Sequence, residues 1–191
     1  MSSFQLAYVP IGVPTFELVS AGKQFEKSKK MLRSLCADTV CPDEMLLSID
    51  KLTAFLDGLS PDLIVLQNIT FANSAYVSEV LKRFDCPILL WTLREPVIDG
   101  GRLRLNSLTG AFSAANTIKY FRKEQFGYVF GSPEEKRVIA EIGAYIRAAQ
   151  IRKELKSLKM ASVGHTPQGF GFGRALDAEL LKSFGVTLES I

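Results

Sequence analysis

Two short stretches constrain this chain more than any other feature: Asp62 to Asn68 (DLIVLQN) and Pro87 to Leu93 (PILLWTL). Each is a continuous apolar run of strand length. A strand with one face in water would alternate apolar and polar residues, so both runs need cover on both faces, as in a parallel sheet wrapped by helices. The surrounding sequence supplies that cover. A first apolar run, Phe4 to Val13, precedes a helical period from about Phe16 to Leu35, with Leu18, Phe25, Met31, Leu32 and Leu35 on its apolar face. Pro42 and Asp43 are expected to open a second helix whose stripe is Leu46, Leu47, Ile49, Leu52, Phe55 and Leu56, closed by Gly58 and Pro61. A helix from about Ala72 to Phe84 links the two decisive runs. The reading is an α/β fold with a doubly wound, mostly parallel, Rossmann-like sheet.

Beyond the second run, Asp99, Gly100 and Gly101 signal a tight turn, and Asn106 or Ser107 is placed to cap a helix reaching Arg122. A short aromatic strand, Phe126 to Phe130, follows. Ser132 as N-cap and Pro133 at the first helical position then predict a long helix continuing to about Leu158. The remainder reads as a strand (Lys159 to Gly164), a glycine-rich loop, a helix (about Arg174 to Phe184) and a strand (Gly185 to Ile191). That partial βαβ unit cannot cover both faces of its own sheet. It divides the chain into a first domain, 1–158, and the start of a second α/β domain, 159–191.

Composition closes off several classes. The 191 residues are 47% apolar with thirteen Phe, which excludes a disordered chain and suits one domain or one and the start of another. A net charge of +3 is too small for a nucleic-acid binder without a concentrated basic patch. The most basic run, Arg147 to Lys159, contains Glu154 and reads as a solvated helix face. No run approaches the about 18 apolar residues of a membrane span, and the N-terminus lacks a secretory pattern, so a cytoplasmic protein is expected. Cys36, Cys41 and Cys86 are expected to be reduced, and one histidine is too few for a zinc site.

In a doubly wound sheet, ligands bind beyond the C-terminal ends of the strands. The candidates are therefore the amides Gln67 and Asn68, the aromatic Phe71, and Arg94 and Glu95 after the second run, with Asn106 at the head of the following helix. Trp91, the only tryptophan, joins them, because aromatic faces stack on sugar rings while amides bond hydroxyls; core packing is its plainer use. The loop GHTPQGFGFG adds His165, Gly169 and Phe170. A dinucleotide motif fails there, since Leu176 stands where the third glycine of G-x-G-x-x-G belongs, although Glu189 ends the next strand where an acid would meet a ribose. Asp43, Glu44 and Asp50 read as a polar helix face, and no residue is assigned as catalytic or as a metal ligand.

Four segments in order carry a family resemblance: VPIGVPTFE, LIVLQNITFANS, ILLWTLREPVIDGGRLRLNSLTGA and VGHTPQGFGFGRALDAELLKSFGV. Together they resemble the N-terminal region of the L-fucose isomerase and L-arabinose isomerase-like family. The resemblance implies a flavodoxin-like first domain, and aldose–ketose isomerisation assisted by a divalent metal, usually manganese. It also implies that the metal ligands, a glutamate, an aspartate and a histidine, belong to later parts of the family's chains, so Asp177, Glu179 and His165 do not take those roles. No cofactor is then expected in this chain, and whether it is an enzyme by itself stays open. Phe71 matches the loop where fucose isomerases place an aromatic substrate contact, and Val13 stands where they carry a basic residue, which implies a different sugar. The expected partners are a small-molecule sugar and either further copies of the chain or a C-terminal companion, not nucleic acid or membrane. The functional expectation is a sugar-binding or subunit-interface module. The alternatives are a component of a split isomerase and a nucleotide-binding regulatory module.

Overall fold

The computed structural model describes residues 3–122, 126–173 and 176–191. Contacts divide the chain into two compact units, 1–146 and 147–191.

The first unit is built on four parallel strands, β1 (Leu6–Ile11), β2 (Leu63–Asn68), β3 (Ile88–Thr92) and β4 (Gly127–Phe130), hydrogen-bonded in that order. Every residue of β1, β2 and β3 is buried. The registers Leu66↔Leu90 and Val9↔Leu66 place their side chains in common rows. One face carries Ala7, Val9, Ile11, Ile64, Leu66, Ile88 and Leu90 against α2 (Ile49–Leu56), α3 (Ser74–Arg83) and α4 (Ser107–Arg122), which contribute Leu52, Leu56, Val77, Val80, Ala114 and Ile118. On the other face Tyr8 stacks on Phe25 of α1 (Leu18–Leu35), with ring centroids 6.0 Å apart. The same face meets the first part of α5 (Lys136–Leu155): a Cβ at Gly127 would lie 2.6 Å from the Tyr145 ring, so only glycine lets helix and strand approach so closely. Helices on both faces make the sheet doubly wound, as its buried runs require.

The segment expected to begin the second helix is extended instead. Val40 and Leu46 form parallel bridges with Ala7 and Ile11 along the outer edge of β1. Tyr8 N–H donates to Val40 O (2.9 Å) and Leu46 N–H to Pro10 O (2.9 Å). Pro42 biases Cys41 toward extended backbone, and the helix starts only where Ser48 accepts the Lys51 N–H. Leu46, counted in the helical stripe, covers the sheet edge. With this segment as an outer neighbour of β1, the order becomes flavodoxin-like, and the chain changes direction across the sheet between β1 and β2. The long helix also starts later than its sequence suggests. Pro133 lies in a turn, the Glu135 carboxylate accepts the Ser132 N–H (2.7 Å), and Lys136 is the first helical residue.

The second unit, from Arg147 onward, holds the end of α5, two parallel strands β5 (Lys159–Ser162) and β6 (Thr187–Ser190), a 3-10 turn at Gly171–Gly173 and α6 (Asp177–Phe184). The start expected for α6, Arg174 and Ala175, lies outside the described residues. Gly185 ends α6 at φ 76°, the left-handed cap that glycine adopts readily. None of the residues of α6 is buried.

The two-sided burial gives a direct test. Leu90, at the centre of β3 and fully buried, is expected to cost about 2–5 kcal/mol when cut to alanine. Urea unfolding of Leu90→Ala should show a lower midpoint with an unchanged slope.

Candidate functional site

The point where strand order reverses brings together the ends of β1 and β2 and the loop after β3. After β1, Gly12 passes so close to Thr70 that a Cβ there would sit 2.5 Å from Thr70 Oγ1. Buried Thr70 ties the two strand ends: its Oγ1 accepts the Val13 N–H (2.9 Å) and donates to Val13 O (3.2 Å). Five residues past β1, Phe16 packs against Phe71, with centroids 6.3 Å apart and planes tilted by 53°. The next residue, Glu17, caps α1 by accepting the N–H groups of Val19 (3.1 Å) and Ser20 (2.9 Å). Its bonds with Ser20 lower its carboxyl below the usual range.

The loop from Arg94 to Asn106 is held by one carboxylate. Glu95 accepts three successive backbone N–H groups, from Arg104 (3.0 Å), Leu105 (3.1 Å) and Asn106 (2.5 Å). Its returning limb is also bonded to both neighbouring segments, with Glu17 N–H donating to Arg104 O and Phe71 N–H to Leu105 O. Asn106 then takes φ 51°, a left-handed turn that asparagine tolerates, and accepts the Thr109 hydroxyl (2.7 Å). Buried Ser107 joins three elements: its Oγ accepts the Leu93 N–H (2.8 Å) and donates to Asn68 O (2.5 Å) at the head of α4.

The residues expected from sequence separate into three groups. Phe71, Glu95 and Asn106 lie together beside the strand ends, through the bonds just described. Gln67 and Trp91 are fully buried. Gln67 accepts the Tyr8 hydroxyl and donates to Ser28 Oγ (3.1 Å), while the Trp91 indole N–H donates to Gly131 O (3.0 Å). These two are interior residues with their polar groups occupied, and Trp91 presents no ring face to solvent. Asn68 is also fully buried, yet its side-chain oxygen and nitrogen both lack partners. Its amide packs under the first turn of α4, where a Cβ on Gly110 would come within 2.6 Å of Asn68 Nδ2. His165, Gly169 and Phe170 are exposed in the second unit. There His165 and Phe170 line an open cavity of about 420 Å3 with Val163, Thr166 and Pro167.

Arg94 is engaged in an ion pair. Its guanidinium forms a two-pronged pair with Glu135 (3.0 and 3.0 Å) and lies 4.9 Å from the Phe130 ring centroid. The Arg94 bonds, followed by the Ser132 N–H, hold the Glu135 carboxyl down to about 2, from an ordinary 4.5. Sequence reading missed Phe16, Thr70, Ser107, Glu135 and Arg102. Of these all but Glu135 lie within the segments that carry the family resemblance, and Ser107 was read there only as a helix cap.

The manganese implied by the family resemblance finds no suitable donor set. Among the described residues, no group of three His, Cys, Asp or Glu side chains is placed to hold a metal ion. The carboxylates near the strand ends are engaged: Glu17 by a helix start, Glu95 by three amides, Glu135 by Arg94, and Asp99 by Gly101 N–H and Arg104. After the glycine-rich loop, the helix start carries negative charge. The first turn of α6 carries Asp177 and Glu179, and Asp177 already accepts the Ala178 N–H (2.9 Å).

A doubly wound α/β unit, with the ends of β1 and β2 and the loop after β3 joined at its switch point, defines the broad class. Comparison with known proteins narrows it. Over all 191 residues the chain is 64% identical to the sulfoquinovose isomerase of Clostridium sp. strain MSTE9, covering 43% of that protein. It is 36% identical to the sulfoquinovose isomerase of Priestia aryabhattai over 194 aligned residues, again 43% of the relative. With the sulfoquinovose isomerase of Alkalicoccus urumqiensis it shares 33% identity over 186 residues, 96% of this chain and 41% of the relative. The chain thus spans less than half the length of the curated relatives it matches. No family model matches it. Among solved structures, RipC from Yersinia pestis aligns with 99% of this chain and 88% of its own at 17% identity and a TM-score of 0.29, too low to build on. The similarity to sugar isomerases read from the sequence is therefore supported at the level of isomerases.

Two measurements follow from the site. An unpartnered buried amide costs more than an apolar group of the same shape, so Asn68→Leu is expected to raise the unfolding free energy by about 1–3 kcal/mol, measured by denaturant titration. For Glu135 the folded-state pKa is depressed, so its stabilisation is complete above about 4.5 and is lost as pH falls toward about 2. Acid titration of Glu135→Gln should show a shallower loss of stability across that window than the unsubstituted chain.

Proposed function

We propose that this chain is the sugar-facing part of an aldose–ketose isomerase acting on sulfoquinovose or a close relative. The 64% identity with a sulfoquinovose isomerase along the whole chain is the observation that carries the reading. The resemblance to L-fucose isomerase-like proteins belongs to the same proposal, as the wider family in which this fold and activity sit.

In this reading the switch-point crevice binds the sugar. Phe71 and Phe16 offer an aromatic surface for a ring face, and the loop held by Glu95 sets the crevice wall. A divalent metal, held by residues from outside this sequence, would supply polarisation of the substrate's carbonyl and hydroxyl oxygens. This chain's residues bind and orient the sugar and exclude water around it. In this reading the metal-holding residues come from a companion polypeptide or from a further stretch of the same one, further copies of the chain form the subunit interface, and the protein works in the cytoplasm.

The test combines calorimetric titration with an isomerisation assay. The purified chain is expected to bind sulfoquinovose and, with manganese added, to form no ketose. Turnover by this chain alone would overturn the division of labour. Absence of any sugar binding would overturn the carbohydrate reading itself.

A further inference from the structure

Three arginines lie between Arg94 and Asn106, and two are committed to carboxylates. Arg94 pairs with Glu135 at 3.0 Å, and Arg104 pairs with Asp99 at 3.0 Å. Arg102 makes no ion pair among the described residues. Its guanidinium carbon lies instead 4.9 Å from the centroid of the Phe16 ring, and Phe16 packs in turn on Phe71. A cation resting on an aromatic face is held in place without being neutralised, which leaves its N–H edge available to an anion.

The position is fixed from both sides. Two residues after Arg102, Arg104 N–H is bound by Glu95 and Arg104 O by Glu17 N–H. Before it, Gly101 N–H is bound by Asp99 Oδ1 (3.0 Å), and Gly100 takes the turn at φ 80°. The exposed side chain is thus carried on a short, anchored span beside the ends of β1 and β2, where a doubly wound sheet receives its ligand.

We propose that Arg102 is the residue that recognises the sulfonate of the sugar, reading its negative charge and oxygen triad with the guanidinium edge while Phe16 supports the opposite face. The inference rests on the carbohydrate reading above and adds the reason for a sulfonated substrate. A planar fork of N–H donors suits a tetrahedral anion, and such charge-assisted bonds discriminate strongly against a neutral analogue.

The experiment measures one ratio, the affinity for sulfoquinovose over that for quinovose, the same sugar without the sulfonate, by calorimetry on the full chain. The unsubstituted chain should favour the sulfonated sugar. Arg102→Gln should lower the ratio about tenfold or more, and Arg102→Lys, which keeps the charge and loses the fork, should recover part of it. Circular dichroism and melting temperature should match throughout, since Arg102 is exposed. A ratio unchanged in Arg102→Gln overturns the assignment and leaves the carbohydrate reading standing, as does an unsubstituted chain that binds both sugars equally. If the unsubstituted chain binds neither sugar, the carbohydrate reading fails and the assignment falls with it.

Discussion

Everything at the crevice depends on strands that are dry on both sides. Six consecutive residues of β2 and five of β3 are buried, with α2, α3 and α4 on one face and α1 on the other. Parallel strands set side by side end at a common level, so the chain must leave β1, β2 and β3 at the same edge. The backbone groups released there need partners. Thr70 and Ser107 meet that need with single hydroxyls, each bonded to two backbone groups. Core and crevice are therefore one construction: the apolar rows bring the strand ends together, and the hydroxyls at their tips fix how the loops depart.

The fold was legible because its strongest signals are local. DLIVLQN and PILLWTL have no reading as half-solvated strands, and the periods between them supply helices, so parallel order and double cover follow. The boundary errors share a physical cause. Pro42 and Pro133 favour helix starts by propensity, but residues 40–46 find backbone partners on β1, and Glu135 accepts the Ser132 N–H so that the helix begins at Lys136, three residues past Pro133. Hydrogen bonding, tertiary in the first case and local in the second, decided both.

The crevice was only half legible. Strand order pointed to the ends of β1 and β2, and Phe71, Glu95 and Asn106 are bonded together beside those ends. The roles of the side chains did not follow, because they come from partners far apart in sequence. Whether Gln67 faces Ser28 or a ligand depends on which side of β2 it occupies, and Arg94 differs from Arg102 only in having Glu135 within reach. Composition does not reveal which of three nearby arginines stays unneutralised. The second unit, with its exposed strands and unburied α6, offers little packing from which to assign roles to His165, Gly169 or Phe170.

The three-amide seat of Glu95 separates two tasks that loops usually mix. Because Glu95 fastens the returning limb through main-chain N–H groups, the stretch from Val97 to Leu103 hangs from a frame anchored by backbone bonds. Such a frame lets the tip be rewritten by mutation without disturbing the scaffold. Anchorage and variation are thereby assigned to different parts of one loop.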